Sequence, residues 1–336
     1  MNCPYCDQPN RIKYGSRRLK DGTTVQRYLC KNCQKRSNER TGSPMAKLRT
    51  PVQVVSQALK MRTEGLGIRA TARVLDKSHS TVSCWEQRVA DKEKHWSAEA
   101  KAGGDITVEG DELYTRVGQN LPPCESKGWT INFLERTSRF WLVAVAGKKD
   151  VALFEWATSE AWQWAKDCQF IRWFTDGERR YAKLLWLKAS VYLKAKEYSK
   201  AFGHRKVWQE GLEVAMKVKA SQGRQRIKWI KPEHPYTAIS LKSQVPANHN
   251  EAHNSALRRR CSAYRRRQNL YAKRVEGLQR TLSMQRLVHN WVQPHWGLTK
   301  GSTPAMAMGF YNRPVKMEEL LTWTGLPSAG GVVARS

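Results

Sequence analysis

Acid is what this chain has little of. Its 336 residues carry 29 Asp and Glu against 59 Lys and Arg, a formal charge of +30. That imbalance excludes an ordinary enzyme of small neutral molecules and calls for a polyanionic partner, most simply nucleic acid. An anionic membrane surface is the competing partner, but long apolar runs are lacking too. The longest, Phe140 to Ala146, falls far short of the ~20 residues a membrane span needs. No apolar segment follows the opening MNCPYCDQPN, so no secretory leader is expected. The expected compartment is a reducing cytoplasm, in association with the nucleoid, where the eight cysteines stay out of disulfides. Internal repeats and low-complexity tracts are absent as well.

What is present begins with two knuckles, Cys3-Pro-Tyr-Cys6 and Cys30-Lys-Asn-Cys33. Four thiolates at this spacing suit a tetrahedral, structural Zn²⁺. The segment between them reads as a hairpin turning at Asp21-Gly22, so residues 1–40 are expected to form a zinc ribbon. So short a segment cannot bury enough apolar surface to fold without metal. A redox dithiol is the alternative. Residues 1–49 hold twelve Lys or Arg against three acids, which suggests contact with DNA backbone or a merely solvated basic spacer.

Residues 41–97 read as three helices. Pro51 opens the first, with Val54, Val55, Ala58, Leu59 and Met61 as its apolar set, and Gly65-Leu66-Gly67 breaks it. A short second helix uses Ala70, Ala72 and Val74 for packing. After the Asp76-Lys77 turn, Ser78 or Ser80 caps a third helix that faces Val82, Trp85 and Val89 inward. This is a helix-turn-helix pattern, and His79, Ser80, Thr81, Ser83, Gln87 and Arg88 are its candidate DNA contacts. A plain three-helix packing module is the bland reading.

Residues 98–104 look like a linker, 105–320 like one large domain with a basic insertion at 189–246, and 321–336 like a tail. Ile106, Val108 and Gly110 alternate with Thr107, Glu109 and Asp111, a strand pattern. Two further strands flank the Arg136–Arg139 turn. Asp150 caps a helix presenting Phe154, Ala157, Ala161 and Ala165, and a strand at 169–175 ends at Asp176-Gly177 before a helix at 178–188. Three antiparallel strands, helix, strand, helix opens a ribonuclease-H-like mixed sheet, giving a multidomain α/β protein. Asp111 and Asp176 then sit on neighbouring strands. Glu109 shares the face of Asp111, and Glu112 takes the opposite one.

The stretch 247–271, ANHNEAHNSALRRRCSAYRRRQNLY, has no Pro or Gly and is expected to be an unbroken helix. Glu251, Ser255 and Arg258 share one face, and Leu257, Cys261 and Tyr264 form a core stripe. The rest is arginine: Arg258, Arg259, Arg260, Arg265, Arg266 and Arg267. A lone acid there is either a solvated Glu–Arg pair or a metal ligand beside a phosphate backbone. Asp111, Asp176 and Glu251 converging from sheet and helix suit Mg²⁺, a hard ion that takes oxygen ligands. Singly, each of the three acids reads as a turn former or surface charge.

The paired C-x-x-C ribbon, GIRATARVLDKSHSTVSCW, GDELYT, FTDGERRYAKLL, HNEAHNSALRRRCSAYRRR and VHNWVQPHWGLTKGSTPAMAMG together resemble transposases of the insertion sequence 1 family, within the DDE superfamily. The resemblance spans nearly the whole chain. It implies Asp111, Asp176 and Glu251 as a triad binding Mg²⁺ or Mn²⁺, with Arg258 near the cleaved DNA, while the arginine helix itself offers Arg265, Arg266 and Arg267 as further phosphate contacts. The expected partners are double-stranded terminal inverted repeats and target DNA, and the expected state is a homo-oligomer, at least a dimer, on paired ends. Ribbon and catalytic region lie here in one reading frame, whereas better-known members divide them by a frameshift. The rival expectations are a zinc-ribbon transcription regulator with an inert third domain, and a nuclease without strand transfer. Of the fourteen Trp, Trp129, Trp141, Trp156 and Trp186 read as core, and Trp291 and Trp296 as residues able to stack on a DNA end. His249, His253 and His289 read as helix-surface residues.

Overall fold

The computed structural model describes residues 2–98, 104–192, 206–217, 234–240, 245, 248–265 and 270–324. At the N-terminus, β1 (Arg11–Arg18), β2 (Thr24–Cys30) and β3 (Arg36–Asn38) form an antiparallel sheet in chain order. The first hairpin turns at Asp21-Gly22, where Gly22 takes the positive φ such a turn asks for. Every residue of β1 after Arg11 is exposed, so the sheet has almost no core of its own.

Three helices follow: α1 (Val52–Thr63), α2 (Ile68–Val74) and α3 (His79–Ala98). Ser78 caps α3, its Oγ accepting from the Thr81 N–H at 3.1 Å. Val82, Trp85 and Val89 are buried at helical spacing, as expected. Val74 is not: it is 61% exposed, and Thr71 and Ala72 supply the inner face of α2 instead. Arg62 on α1 and Glu86 on α3 form a buried ion pair at 2.5 Å.

The main sheet contains β4 (Asp105–Tyr114), β5 (Trp129–Glu135), β6 (Trp141–Gly147), β7 (Phe170–Thr175), β10 (Leu212–Met216) and the two-residue β11 (His234–Pro235). Its order is β11-β10-β7-β4-β5-β6, with β4 to β6 antiparallel and with β7 and β10 parallel to β4. Between β7 and β10, a separate ribbon pairs β8 (Ser190–Tyr192) with β9 (Lys206–Trp208). The region 189–246 therefore supplies the expected fifth strand, β10. One face of the sheet (Ile106, Val108, Phe133, Trp173) packs on α4 (Val151–Ala165) and α5 (Arg180–Ala189). Asp150 caps α4, and Phe154, Ala157, Ala161 and Ala165 are all fully buried.

The opposite face (Leu113, Leu134, Trp141) packs on α6 (Asn248–Arg260) and α7 (Val275–Leu287). α7 and the π-helical turn Val288–Val292 also close the outer edge of β6. Gln279 bonds the Ala146 N–H and the Ala144 carbonyl at 2.9 and 2.8 Å, and Asn290 bonds the Trp141 N–H and carbonyl at 2.8 and 3.0 Å. Side-chain amides thus stand in for a missing strand and block further strand pairing there. Short helices α8 (Pro304–Ala307) and α9 (Met317–Leu320) finish the described chain. Glu318 on α9 bonds Ser56 and Lys60 of α1, and one apolar cluster runs from Met45 through α1–α3 and the sheet to Leu321.

The arginine helix is shorter than its sequence suggests. α6 ends at Arg260, Cys261 turns extended (φ −111°, ψ 112°), and a single 3-10 turn covers Ser262–Tyr264. No breaker residue stops it. The stop comes from tertiary contacts: the Tyr264 hydroxyl bonds Thr130 inside the core, and Thr115 donates to the Ala263 carbonyl. Leu257, Cys261 and Tyr264 are buried as a stripe, but only Leu257 lies on the helix.

Candidate functional site

Parallel pairing of β4 with β7 runs through Gly110 opposite Thr175, so Asp111 and Asp176 each stand one residue past that couple. Strand alternation puts Asp111 on the α6 side, and Asp176 follows the end of β7 within reach of both Glu112 and Asp111. Gly110 is required at this point, because any Cβ would strike the Phe133 ring at 2.5 Å. Asp111 Oδ2 accepts from Asn254 Nδ2 at 2.7 Å, and its Oδ1 accepts from the Glu112 N–H at 2.8 Å. Asp176 Oδ1 accepts from the Glu178 N–H at 3.3 Å. Burial, with Glu112 and then Asp111 adding repulsion, pushes the Asp176 carboxyl up to about 8. Glu112, on the opposite strand face, pairs with Lys149 Nζ at 2.7 Å, and Lys149 lies 3.8 Å from Glu178.

α6 is fixed over this corner by three buried asparagines. The Asn250 N–H donates to Glu109 Oε2 at 3.0 Å, and its Nδ2 to the Glu109 and Asn132 carbonyls at 3.1 and 3.2 Å. Asn132 Nδ2 donates to Asn254 Oδ1 at 2.8 Å. Glu251 is exposed on α6, three residues before Asn254, on the flank that Asn254 brings beside Asp111. The structure therefore brings Asp111 and Asp176 together and sets Glu251 on the adjoining helix. Among the described residues, only the four N-terminal cysteines bring three or more metal-type ligand atoms within 4.8 Å of one another, so the three carboxylates are spread more widely. Asn250 and Asn254 were missed from sequence. Their i, i+4 spacing around Glu251 was the available signal. Glu109 is fully buried and paired with Arg136, a structural acid.

Cys3, Cys6, Cys30 and Cys33 form a site that can hold a metal such as zinc. The Cys3–Cys33 and Cys6–Cys30 sulfurs are 3.7 Å apart. A tetrahedron with arms of about 2.3 Å has edges of about 3.8 Å, so the spacing already suits Zn²⁺. The Cys33 N–H, working against burial and with the Asn32 N–H, draws the Cys30 thiol down to about 7, while the Cys6 thiol bonded to it is pushed up, so the pair shares a proton that a metal would displace.

The candidate DNA contacts divide. His79 and Ser80 are exposed at the start of α3, with Thr81 and Ser83 half-buried beside them. Gln87 bonds Asp91 and meets Arg280 of α7. Arg88 is turned to the Pro44 and Ala46 carbonyls at 3.3 and 2.8 Å, so it ties the preceding segment to α3 and does not reach outward as a reader. Arg258 lies on the Glu251 flank of α6. Arg265 packs over Gly65 and donates to the Arg259 carbonyl, while Arg266 and Arg267 lie outside the described residues, as do 99–103 of the expected linker.

Three aromatic expectations change. Trp156 is 44% exposed, Trp291 is buried against Phe310 and Trp323, and a buried His253 meets a half-buried His289 edge-on at 4.8 Å. No helix among the described residues is long and apolar enough to cross a membrane. No protein-family model matches the chain, and no curated protein matches it.

Proposed function

We propose that the chain is a DNA transposase that binds the terminal inverted repeats of its element, cuts beside them and joins the ends to target DNA. The observation carrying this reading is the pairing of Asp111 and Asp176 at adjacent strand ends, with Glu251 on the helix pinned above them. The sheet order, antiparallel β4–β6 followed by parallel β7 and β10, supports a ribonuclease-H-like unit. The excess of 30 positive charges supports a polyanionic substrate.

The donor set fits Mg²⁺ or Mn²⁺. Its ligand atoms are hard carboxylate oxygens, and burial, with repulsion from Glu112 and then Asp111, raises the Asp176 carboxyl, a bias that a bound cation would offset. Asp111, Asp176 and Glu251 would hold the metal. When bound, such ions activate an attacking oxygen and stabilise a leaving 3′ oxygen. The chain's own groups then have defined work. Asn254 orients Asp111, Lys149 holds Glu112 on the far face, and Arg258 lies along the phosphate path. Water attacks first and frees a 3′ hydroxyl. That hydroxyl then attacks a target phosphate, the new phosphodiester forming as the target strand's own 3′ oxygen leaves, with no covalent enzyme intermediate. The ribbon, with structural zinc, and the α2–α3 unit hold the DNA, and two ends need at least two copies.

The test is purified protein with the element's ends, Mg²⁺ and a target plasmid. Joined products support the reading. Cleavage without joining makes the protein a nuclease, and binding without cleavage makes it a regulator.

A further inference from the structure

Trp296 has a relative exposure of 102%, with no neighbour covering the indole. It stands on the loop 294–302, between the π turn and α8. The loop is closed by its own backbone: the His295 N–H donates to the Ser302 carbonyl at 2.9 Å, the Leu298 N–H to the His295 carbonyl at 3.1 Å, and the Ser302 N–H to the Thr299 carbonyl at 2.8 Å. Its base rests on the body of the protein. The His295 ring packs edge-on against His289 at 5.7 Å, and Gly297 lies so close to Arg139 that an added Cβ would come 3.6 Å from its Nε. The indole is thus held out on a built support, whereas Trp291 nearby is buried in the core with a half-buried Trp323 against it.

An indole held out in this way offers a broad flat face on which another ring can stack. Charge identifies the partner. The loop PHWGLTKGST contains no acid and one exposed lysine, Lys300. Helical geometry gives its relation to the carboxylates. Asn250, His253, Asn254 and Leu257 face the sheet, Glu251 and Arg258 occupy one flank of α6, and Arg260 occupies the other, where it bonds Gln293 beside the loop. Gln293 and the loop that follows it therefore lie on the flank of α6 opposite Glu251 and Arg258.

We propose that Trp296 is a stacking platform for a nucleobase at the end of the DNA, which crosses α6 with its reacting phosphate at the carboxylates. This rests on the reading of the chain as a DNA enzyme. The probe is a short duplex with a single-stranded 3′ extension carrying 2-aminopurine as the first unpaired base, compared with the same duplex sealed by hairpins. Full-length protein should quench the 2-aminopurine fluorescence. Trp296→Ala should abolish the quenching and weaken binding of the extended probe by on the order of 10-fold. Trp296→Phe should keep most of both, and the sealed duplex should bind all three proteins equally. Equal behaviour of wild type and Trp296→Ala on both probes overturns the proposal. So does equal weakening on both probes, or a change only in oligomeric state. Wild-type protein that binds neither probe overturns the DNA reading itself.

Discussion

Asp111 owes its orientation to Asn254, and α6 owes its place to Asn250, which meets both the carboxylate and the carbonyl of Glu109. If Asp111, Asp176 and Glu251 hold the reactive metal, their amide variants should keep DNA binding and lose ~10²-fold or more of cleavage and joining. Glu276→Gln, on an exposed acid at the start of α7, is the control. Normal transposition by Glu251→Gln would show that the third ligand lies elsewhere. Glu109 cannot serve as a control, since its buried carboxylate answers Arg136 and the Asn250 N–H. His289 offers a test of stability. Burial, assisted by His295 and Arg260 and opposed by the bond to the Arg139 carbonyl, draws its pKa down to about 4. A depressed folded pKa means its contribution is complete above the usual value near 6.5 and is lost as pH falls from there through 4. Urea unfolding should show His289→Gln losing about 2 kcal/mol less than wild type between pH 7 and pH 5.

At the level of elements, the ribbon and the α3 interface make opposite demands. The ribbon sheet is exposed, so its fold should depend on the metal: Cys30→Ser should lose about one zinc per chain together with the structure of residues 1–40. Well-folded protein with no zinc would refute this. α3 instead depends on buried charge. Glu86 answers Arg62 at 2.5 Å and Arg280 at 3.4 Å, all within the contact of α3 with α1 and α7. Glu86→Ala strands the Arg62 guanidinium and should cost about 3–5 kcal/mol in denaturant unfolding. A loss below about 1 kcal/mol would mean water reaches Arg62.

For the whole molecule, the charge of +30 should appear as a steep fall of DNA affinity with salt. Removing one phosphate-contacting arginine, with Arg258→Ala as the candidate, should weaken all DNA alike and flatten the slope by about one contact. An unchanged slope would place Arg258 off the backbone. Sequence preference should instead follow His79 and Ser80, since Arg88 is occupied by backbone carbonyls.

Local pattern and charge were enough to determine the elements that carry their own instructions. The cysteine knuckles, the caps at Ser78 and Asp150, the alternation of β4 and the apolar face of α4 all depend on neighbours close in sequence or on one bound ion. The apposition of Asp111 and Asp176 followed from the expected strand order. What only tertiary structure decided lies where distant segments meet. α6 stops at Arg260 because Tyr264 is drawn into the core by Thr130, and no residue at the stop announces it. Arg88, Trp291 and His289 read as surface groups from their polar neighbours, yet packing of α3, α7 and the C-terminal helices on the sheet buries Trp291 and ties the half-buried Arg88 and His289 to backbone carbonyls. Composition places a residue inside or outside only on average. The choice at a given position is made by which surface the rest of the chain leaves uncovered, and that leaves Trp296 in solvent while Trp291, five residues earlier, fills the core.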